Sequence, residues 1–336
     1  MTFPLTGPQA AWGTLIVPVM EISVKDLNDA GGVNGRPLDL VVEDSKGDPQ
    51  AAVAAMQKLV QVNKVPVVLT IFTNVVTAQA PAAEQLKVPI ISTIESPGLT
   101  DQSQWNFANS VLLTDTLPLL RDYWKAKGIK RLYAIIPDTS YATFSSPLLT
   151  QAAKDLGAEY GESRFKLGET DYRGLVARVK DFNPDAILVT GHGTLDEPLI
   201  MRQAREIGIQ TPFYSACGCA TAKSYRDALG DVGDGLIFAM LRYDKQAAAK
   251  LISTYRARLG FDPDYSGIEW YDIVQMVAQA IKTRGYAGDG IRQGLAEIKD
   301  FPSVGGGKLT FDQNRQSHQA VALYQLKGTD YTEIKP

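Results

Sequence analysis

Thr73 and Asn74 stand just past an apolar run, 65–71, and open an amphipathic stretch that continues to Leu86. A hydroxyl and an amide at such a junction suit one kind of chemistry. The first turn of a helix carries backbone N–H groups without intrahelical partners, and the helix dipole adds positive potential there. A carboxylate or phosphate can bind at that end. The same two side chains also suit plain N-capping, and both readings stay open. A second junction follows the run 88–92 and reads Thr93-Ile94-Glu95-Ser96-Pro97. Pro97 favours extended backbone at Ser96, which presents polar groups to a rim. Glu95 there reads either as a ligand contact or as a solvated side chain.

Catalytic sets are missing. The two histidines are His192 and His318. No Gly-x-Ser-x-Gly elbow and no Gly-x-x-x-x-Gly-Lys-Ser/Thr loop occurs. Gly191-His192-Gly193 follows the run 186–190 but lacks the third glycine of a dinucleotide fingerprint. Gly305-Gly306-Gly307 precedes a strand pattern and reads as a turn. The acidic residues are scattered, with no dyad or cage. Cys217 and Cys219 are the only cysteines. A bridge across so short a loop is strained, so two buried thiols are expected, with a disulfide or redox pair as the alternative. No cofactor and no metal are expected, and the chain is read as a binder, not an enzyme. An enzyme using His192 and Glu95 as an acid/base pair is the weakest alternative.

Binding residues need a scaffold, and the pattern supplies one. Apolar runs at 38–43, 65–71, 88–92, 131–136, 186–190 and 236–240 alternate with amphipathic stretches. These stretches lie at 10–28, 75–86, 114–127, 147–156, 171–182, 197–207, 247–259, 269–284 and 290–298. Asp48-Pro49 marks one start, with an acid at the cap and proline in the first turn. Nearly continuous β-branched runs separated by helices specify parallel strands covered on both faces. The tail, 305–312 and 319–326, reads as hairpin-like strands. With 336 residues, 45% apolar and 21% charged, the chain has room for two ordinary globular domains. A net charge of −3 gives no basic footprint for nucleic acid. The extended opening, Met1-Thr2-Phe3-Pro4-Leu5, reads as a strand entered midway, with a leader removed or the start set late.

Several motifs, in order, carry a family resemblance. They are Pro4-Leu5-Thr6-Gly7-Pro8 with Trp12-Gly13, Asn28-Asp29-Ala30-Gly31-Gly32-Val33-Asn34-Gly35-Arg36, and Val42-Glu43-Asp44 with Asp48-Pro49. Ala83-Glu84, Val88-Pro89-Ile90-Ile91-Ser92 and Ser96-Pro97-Gly98-Leu99-Thr100 follow. Arg202-Gln203-Ala204-Arg205-Glu206-Ile207-Gly208 and Trp270-Tyr271-Asp272 complete the set. Together they resemble the leucine/isoleucine/valine-type periplasmic solute-binding proteins of ABC transporters, across almost the whole chain.

The resemblance implies a type I periplasmic binding protein: α/β, two doubly wound parallel-sheet lobes joined by a three-strand hinge that closes on ligand. Lobe one would comprise 1–116 and 245–312, and lobe two 117–244 and 313–336. It implies a monomer in the periplasm that passes an amino acid or related small carboxylic acid to an inner-membrane permease. The ligand residues it implies are Trp12, Phe72, Thr73, Asn74, Thr93, Ile94, Glu95, Tyr141, His192 and Ala216. Amino-acid binders of the family carry an acidic residue in the loop around 214–218. Here that loop reads Tyr214-Ser215-Ala216-Cys217-Gly218. Either Glu95 takes the ammonium instead, or the ligand has none. Relatives carry aromatic acids, amides and urea, and Trp12, Phe72, Tyr141 and His192 would suit a flat ring. A ligand-sensing regulator of the same fold is the alternative function.

Overall fold

The computed structural model describes residues 1–191 and 194–335. They fall into two units, Met1–Val111 with Tyr243–Gln319, and Leu112–Arg242 with Ala320–Pro336, so the chain passes three times from one to the other.

The first unit opens with β1 (Thr2–Phe3), α1 (Ala10–Asp29), β2 (Glu43–Asp44), α2 (Pro49–Gln61), β3 (Val68–Ile71), α3 (Thr73–Leu86), β4 (Ile90–Thr93) and β5 (Asn106–Asn109). The second contributes α4 (Leu113–Ala126), β6 (Arg131–Pro137), α5 (Ser140–Leu156), β7 (Glu159–Phe165), α6 (Arg173–Phe182) and β8 (Ala186–Val189). It continues with α7 (Asp196–Glu206), β9 (Phe213–Ser215), α8 (Lys223–Leu229) and β10 (Ile237–Leu241). The first unit resumes with α9 (Ala249–Leu259), α10 (Ser266–Arg284), α11 (Gly288–Ala296), β11 (Phe301–Pro302), β12 (Lys308–Leu309) and β13 (Gln316–Ser317). β14 (Val321–Lys327) and β15 (Asp330–Ile334) complete the second.

The first unit's sheet runs β13-β5-β4-β3-β1-β2 and all its pairings are parallel. The second runs β15-β14-β10-β9-β8-β6-β7, parallel except where β14 meets β10 and β15. This is the doubly wound α/β architecture the alternation specifies. Helices α1 and α10 cover the first sheet, where Phe3 packs edge-on against Trp270 at 4.9 Å. Leu120, Trp124, Leu132, Ile136 and Leu188 fill the second unit's core.

Some elements differ from the sequence reading. The strand expected over 38–43 reduces to Glu43–Asp44. Its partner β1 is two residues long, Thr2 facing Glu43 and Phe3 facing Asp44, so 38–42 have no ladder beside them. The helix expected from Pro147 starts at Ser140, where the Thr139 hydroxyl accepts the Tyr141 N–H at 3.3 Å. Pro147 lies inside that helix, although proline prefers a first turn. β7 gives no apolar run because it is an edge strand that carries Glu159, Glu162 and Arg164. Residues 313–319 lie with the first unit, where Gln316 and Ser317 pair with Ala108 and Asn109 of β5.

Candidate functional site

In a parallel sheet the loops at the carboxyl ends of the strands share one edge, and ligands bind there. In the first unit that edge collects most of the sequence candidates. Thr70 pairs with both Thr2 and Ser92, and Ile71 pairs with Thr93, so the exits of β1, β3 and β4 lie side by side. Asp44 ties two of the exit loops together. Its carboxylate accepts from Leu5 N at 2.9 Å, Thr6 Oγ1 at 2.6 Å and Lys46 N at 2.8 Å. Burial disfavours the Asp44 charge, but hydrogen bonds led by Thr6 outweigh it, and its pKa lies below the ordinary carboxylate value. Gly13 lets α1 sit against this loop: a Cβ there would lie 2.3 Å from the Pro4 carbonyl oxygen. Trp12, one residue earlier, is buried and meets the Phe72 ring edge-on at 6.5 Å.

Phe72 is the N-cap of α3, with φ 75° and ψ 135°, and no side chain caps the helix. Positive φ is costly for a β-carbon-bearing aromatic residue, and such strain concentrates at functional sites. This corrects the capping expectation: Thr73 and Asn74 already lie inside the first turn and cannot be its cap. Their side chains turn to other groups. Thr73 Oγ1 lies 2.8 Å from Ser96 Oγ, in the loop after β4. One hydroxyl donates to the other, so one hydroxyl hydrogen of the pair remains to donate elsewhere. Asn74 Nδ2 donates to Gly47 O at 3.3 Å, while Asn74 Oδ1 is buried without a hydrogen-bond partner. The edge thus offers uncapped N–H groups, a hydroxyl pair and a buried amide oxygen.

The loop after β4 continues this surface. Thr93 ends the strand. Ile94 is buried, its N–H donates to Ser110 Oγ at 3.0 Å, and its carbonyl accepts from the same hydroxyl. Ile94 therefore fixes the loop through its backbone. Glu95 Oε1 accepts from Tyr265 OH at 3.4 Å. Tyr265 is buried just before α10, and burial followed by the charge of Glu95 pushes its phenol well above the usual value. Glu269, one turn into α10, is buried and its Oε1 accepts Val111 N at 3.1 Å. Burial, then Glu95, Asp264 and Asp272, drives its pKa well above the carboxylate range. Sequence reasoning missed Tyr265, since no strand leads into it and strand exits were the guide.

The second unit's candidates sit at the matching edge of their own sheet. Tyr141 follows β6 and Ala216 follows β9, and both belong to the apolar core of that unit. His192 lies outside the described residues. Cys217 and Cys219 form a disulfide, which corrects the expectation of two thiols. Their Cα atoms are 5.3 Å apart, within bridging range, so the short loop does not prevent the bond.

An apolar cavity of about 240 Å³ lies at the opposite, amino-end edge of the first sheet, lined by Met1, Leu38, Val41, Val67, Val274 and Ile281. Among the described residues no three His, Cys, Asp or Glu side chains converge to hold a metal ion, and no helix is long and apolar enough to cross a membrane.

Known proteins share this design. The Leu/Ile/Val-binding protein homolog 1 of Brucella abortus (strain 2308) is 28% identical over 295 residues, covering 84% of this chain and 77% of the relative. A branched-chain amino acid transporter substrate binding protein of Streptococcus pneumoniae, solved with isoleucine, superposes with a TM-score of 0.88 at 23% identity. That match covers 100% of this chain and 98% of the other. An ABC-transporter solute binding protein of Rhodopseudomonas palustris BisB5, solved with 3,4-dihydroxy benzoic acid, gives a TM-score of 0.86 at 23% identity, covering 99% and 95%. The family model for periplasmic binding proteins matches residues 1–330. With strand exits that converge on an uncapped helix start, and that match over almost its whole length, the chain belongs to the periplasmic binding protein family.

Proposed function

We propose that this chain captures an amino acid or a related small carboxylic acid in the periplasm and delivers it, as a monomer, to an ABC permease in the inner membrane. The observation that carries the reading is the start of α3. Phe72 leaves that helix end uncapped, and the Thr73–Ser96 hydroxyl pair stands beside it. Backbone N–H groups and one spare hydroxyl hydrogen match the two oxygens of a carboxylate. Trp12 and Phe72 supply an apolar wall for the ligand body. Thr93, Ile94 and Glu95 belong to the neighbouring loop of the same unit. Relatives named for leucine, isoleucine and valine, and neighbours solved with isoleucine or a dihydroxybenzoate, support the carboxylate as the shared ligand feature. Such a site needs fixed donors and no nucleophile, which agrees with the absence of a catalytic motif in the sequence. A thermal-shift screen of amino acids, aromatic acids and amides tests the reading: carboxylates should raise the melting temperature and matched amides should not.

A further inference from the structure

The three passages of the chain between the units are all tied, on the first unit's side, to one turn of α10. β5 pairs with β13 as far as Asn109 and Ser317, and the chain leaves the unit just beyond each strand, after Val111 and after Gln319. Backbone groups past the end of a ladder need other partners. In the first passage Val111 N donates to Glu269 Oε1 at 3.1 Å, and Ser110 O accepts from Gln316 Nε2 at 2.9 Å. Before the passage after Gln319, Ser317 Oγ and Gln319 Nε2 donate to Asn109 Oδ1 at 2.6 and 3.3 Å, and Asn109 Nδ2 donates to Glu269 O at 3.1 Å. The remaining passage enters the unit at Tyr243. There Asp244 N donates to Gly305 O at 2.8 Å, and Asp272 holds that turn by accepting from Ser303 Oγ at 2.5 Å and Val304 N at 2.8 Å. Glu269 and Asp272 are both buried and stand three residues apart on α10.

The first passage also reaches the candidate site. Ser110 Oγ accepts from Ile94 N at 3.0 Å and donates to Ile94 O, so one buried hydroxyl takes both backbone groups of a loop residue. Ile94 lies two residues before Ser96, whose Oγ meets Thr73 Oγ1 at 2.8 Å at the start of α3. A connected path therefore runs from the strand-exit edge through Ile94 and Ser110 to Val111, and from Val111 into α10. Loops are the mobile parts of a scaffold, so contacts of this kind set their position. The state of Glu269 suits the role. Burial, aided by the charges of Glu95, Asp264 and Asp272, keeps its proton on despite the Val111 bond. A protonated carboxyl offers Val111 a carbonyl oxygen, as an amide would, without placing a charge in the core.

We infer that Ser110 and Glu269 are positioning residues for solute capture: Ser110 locks the loop after β4 to the first chain passage, and Glu269 locks that passage to α10. This rests on the solute-binding reading and deepens it, because the affinity of the strand-exit edge is then set in part by residues behind it. Ser96 and Thr73 meet the solute, and Ser110 and Glu269 hold the loop that carries Ser96.

The probes are L-leucine, L-phenylalanine and benzoate, titrated calorimetrically into the wild type, Ser110→Ala, Glu269→Leu and Glu269→Gln. Each chain is also melted, and its amide hydrogen exchange is followed by NMR. Loss of a supporting hydrogen bond should weaken the best-bound probe about tenfold in Ser110→Ala and in Glu269→Leu. Glu269→Gln keeps the acceptor and should bind within about threefold of wild type. Exchange in Glu269→Leu should quicken at Ile94 as well as at Val111, while the rest of the first unit's sheet stays protected. Wild-type affinity in Ser110→Ala, or unchanged exchange at Ile94 in a folded Glu269→Leu, overturns the inference and leaves the solute-binding reading standing. Exchange that quickens evenly across the first unit reduces both residues to structural support and also overturns it. Should Glu269→Leu fail to fold, Glu269→Gln decides for that residue: a tenfold loss there overturns its assignment, and wild-type affinity upholds it beside a weakened Ser110→Ala. Binding of none of the three probes by the wild type overturns both readings.

Discussion

The hydroxyls of Thr73 and Ser96 lie 2.8 Å apart, although one residue opens helix α3 and the other stands three residues beyond strand β4. The contact joins two strand exits into one polar surface beside an uncapped helix end. It also limits what each group can do, because one of the two hydrogens is spent within the pair.

Removing either hydroxyl should therefore weaken ligand binding. Thr73→Val keeps the side-chain shape, and Ser96→Ala removes the partner. Each is expected to cost about 1.5–3 kcal/mol against a carboxylate ligand, or roughly tenfold to a hundredfold in Kd. Calorimetry with the tightest ligand of the thermal-shift screen measures this. Unchanged Kd values in both variants would remove the pair from the site.

Gly13 should resist even a methyl group. Its Cβ would lie 2.3 Å from the Pro4 carbonyl oxygen, a backbone atom with no freedom to swing aside. Gly13→Ala is expected to destabilise the first unit by about 1–3 kcal/mol, the usual cost of overpacking. Urea denaturation followed by tryptophan fluorescence reads it. A midpoint equal to wild type would mean that the loop after β1 moves without cost.

Asp272 should give stability a pH dependence. It is buried, and burial raises its pKa to about 7 despite hydrogen bonds from Ser303 Oγ at 2.5 Å and Val304 N at 2.8 Å. Between its ordinary value of 3.8 and about 7, the folded chain keeps a proton that the unfolded chain has released. Stability from this group is therefore complete at low pH and declines as pH rises through that window. Asp272→Asn removes the titration and keeps the packing. Melting curves from pH 4 to 8 should fall less steeply for the variant than for wild type. Parallel curves would contradict the assignment.

The Cys217–Cys219 bridge closes a very short loop, so chain entropy gives it only about 1–2 kcal/mol. Thiol titration of the denatured, unreduced protein should find no free cysteine. Reduction should then lower the melting temperature by a small amount. Two reactive thiols in the untreated protein would contradict the bridge.

These residues also show what a sequence can and cannot reveal. Val68–Ile71, Arg131–Pro137 and Ala186–Val189 are legible because strands covered on both faces must be apolar throughout. The start of α2 is legible because Asp48 accepts Ala51 N at 2.8 Å, the local contact its residue type favours. Thr73 shows the opposite case. Its residue type suggested a local cap, and a tertiary contact with Ser96 took the side chain instead. Tyr265 was invisible for a related reason: its meaning depends on Glu95, 170 positions away in the chain. The edge strand Glu159–Phe165 hid behind its charges. Local patterns carried the scaffold, and long-range pairing decided the site.

Calorimetric titration of the unliganded protein with L-leucine, L-phenylalanine, benzoate and benzamide tests the central claim most directly. The account predicts saturable binding of at least one of the three carboxylates and none of the amide, with the bound ligand recovered chemically unchanged after prolonged incubation. Heat-free titrations with every carboxylate, or a ligand consumed during incubation, would contradict it.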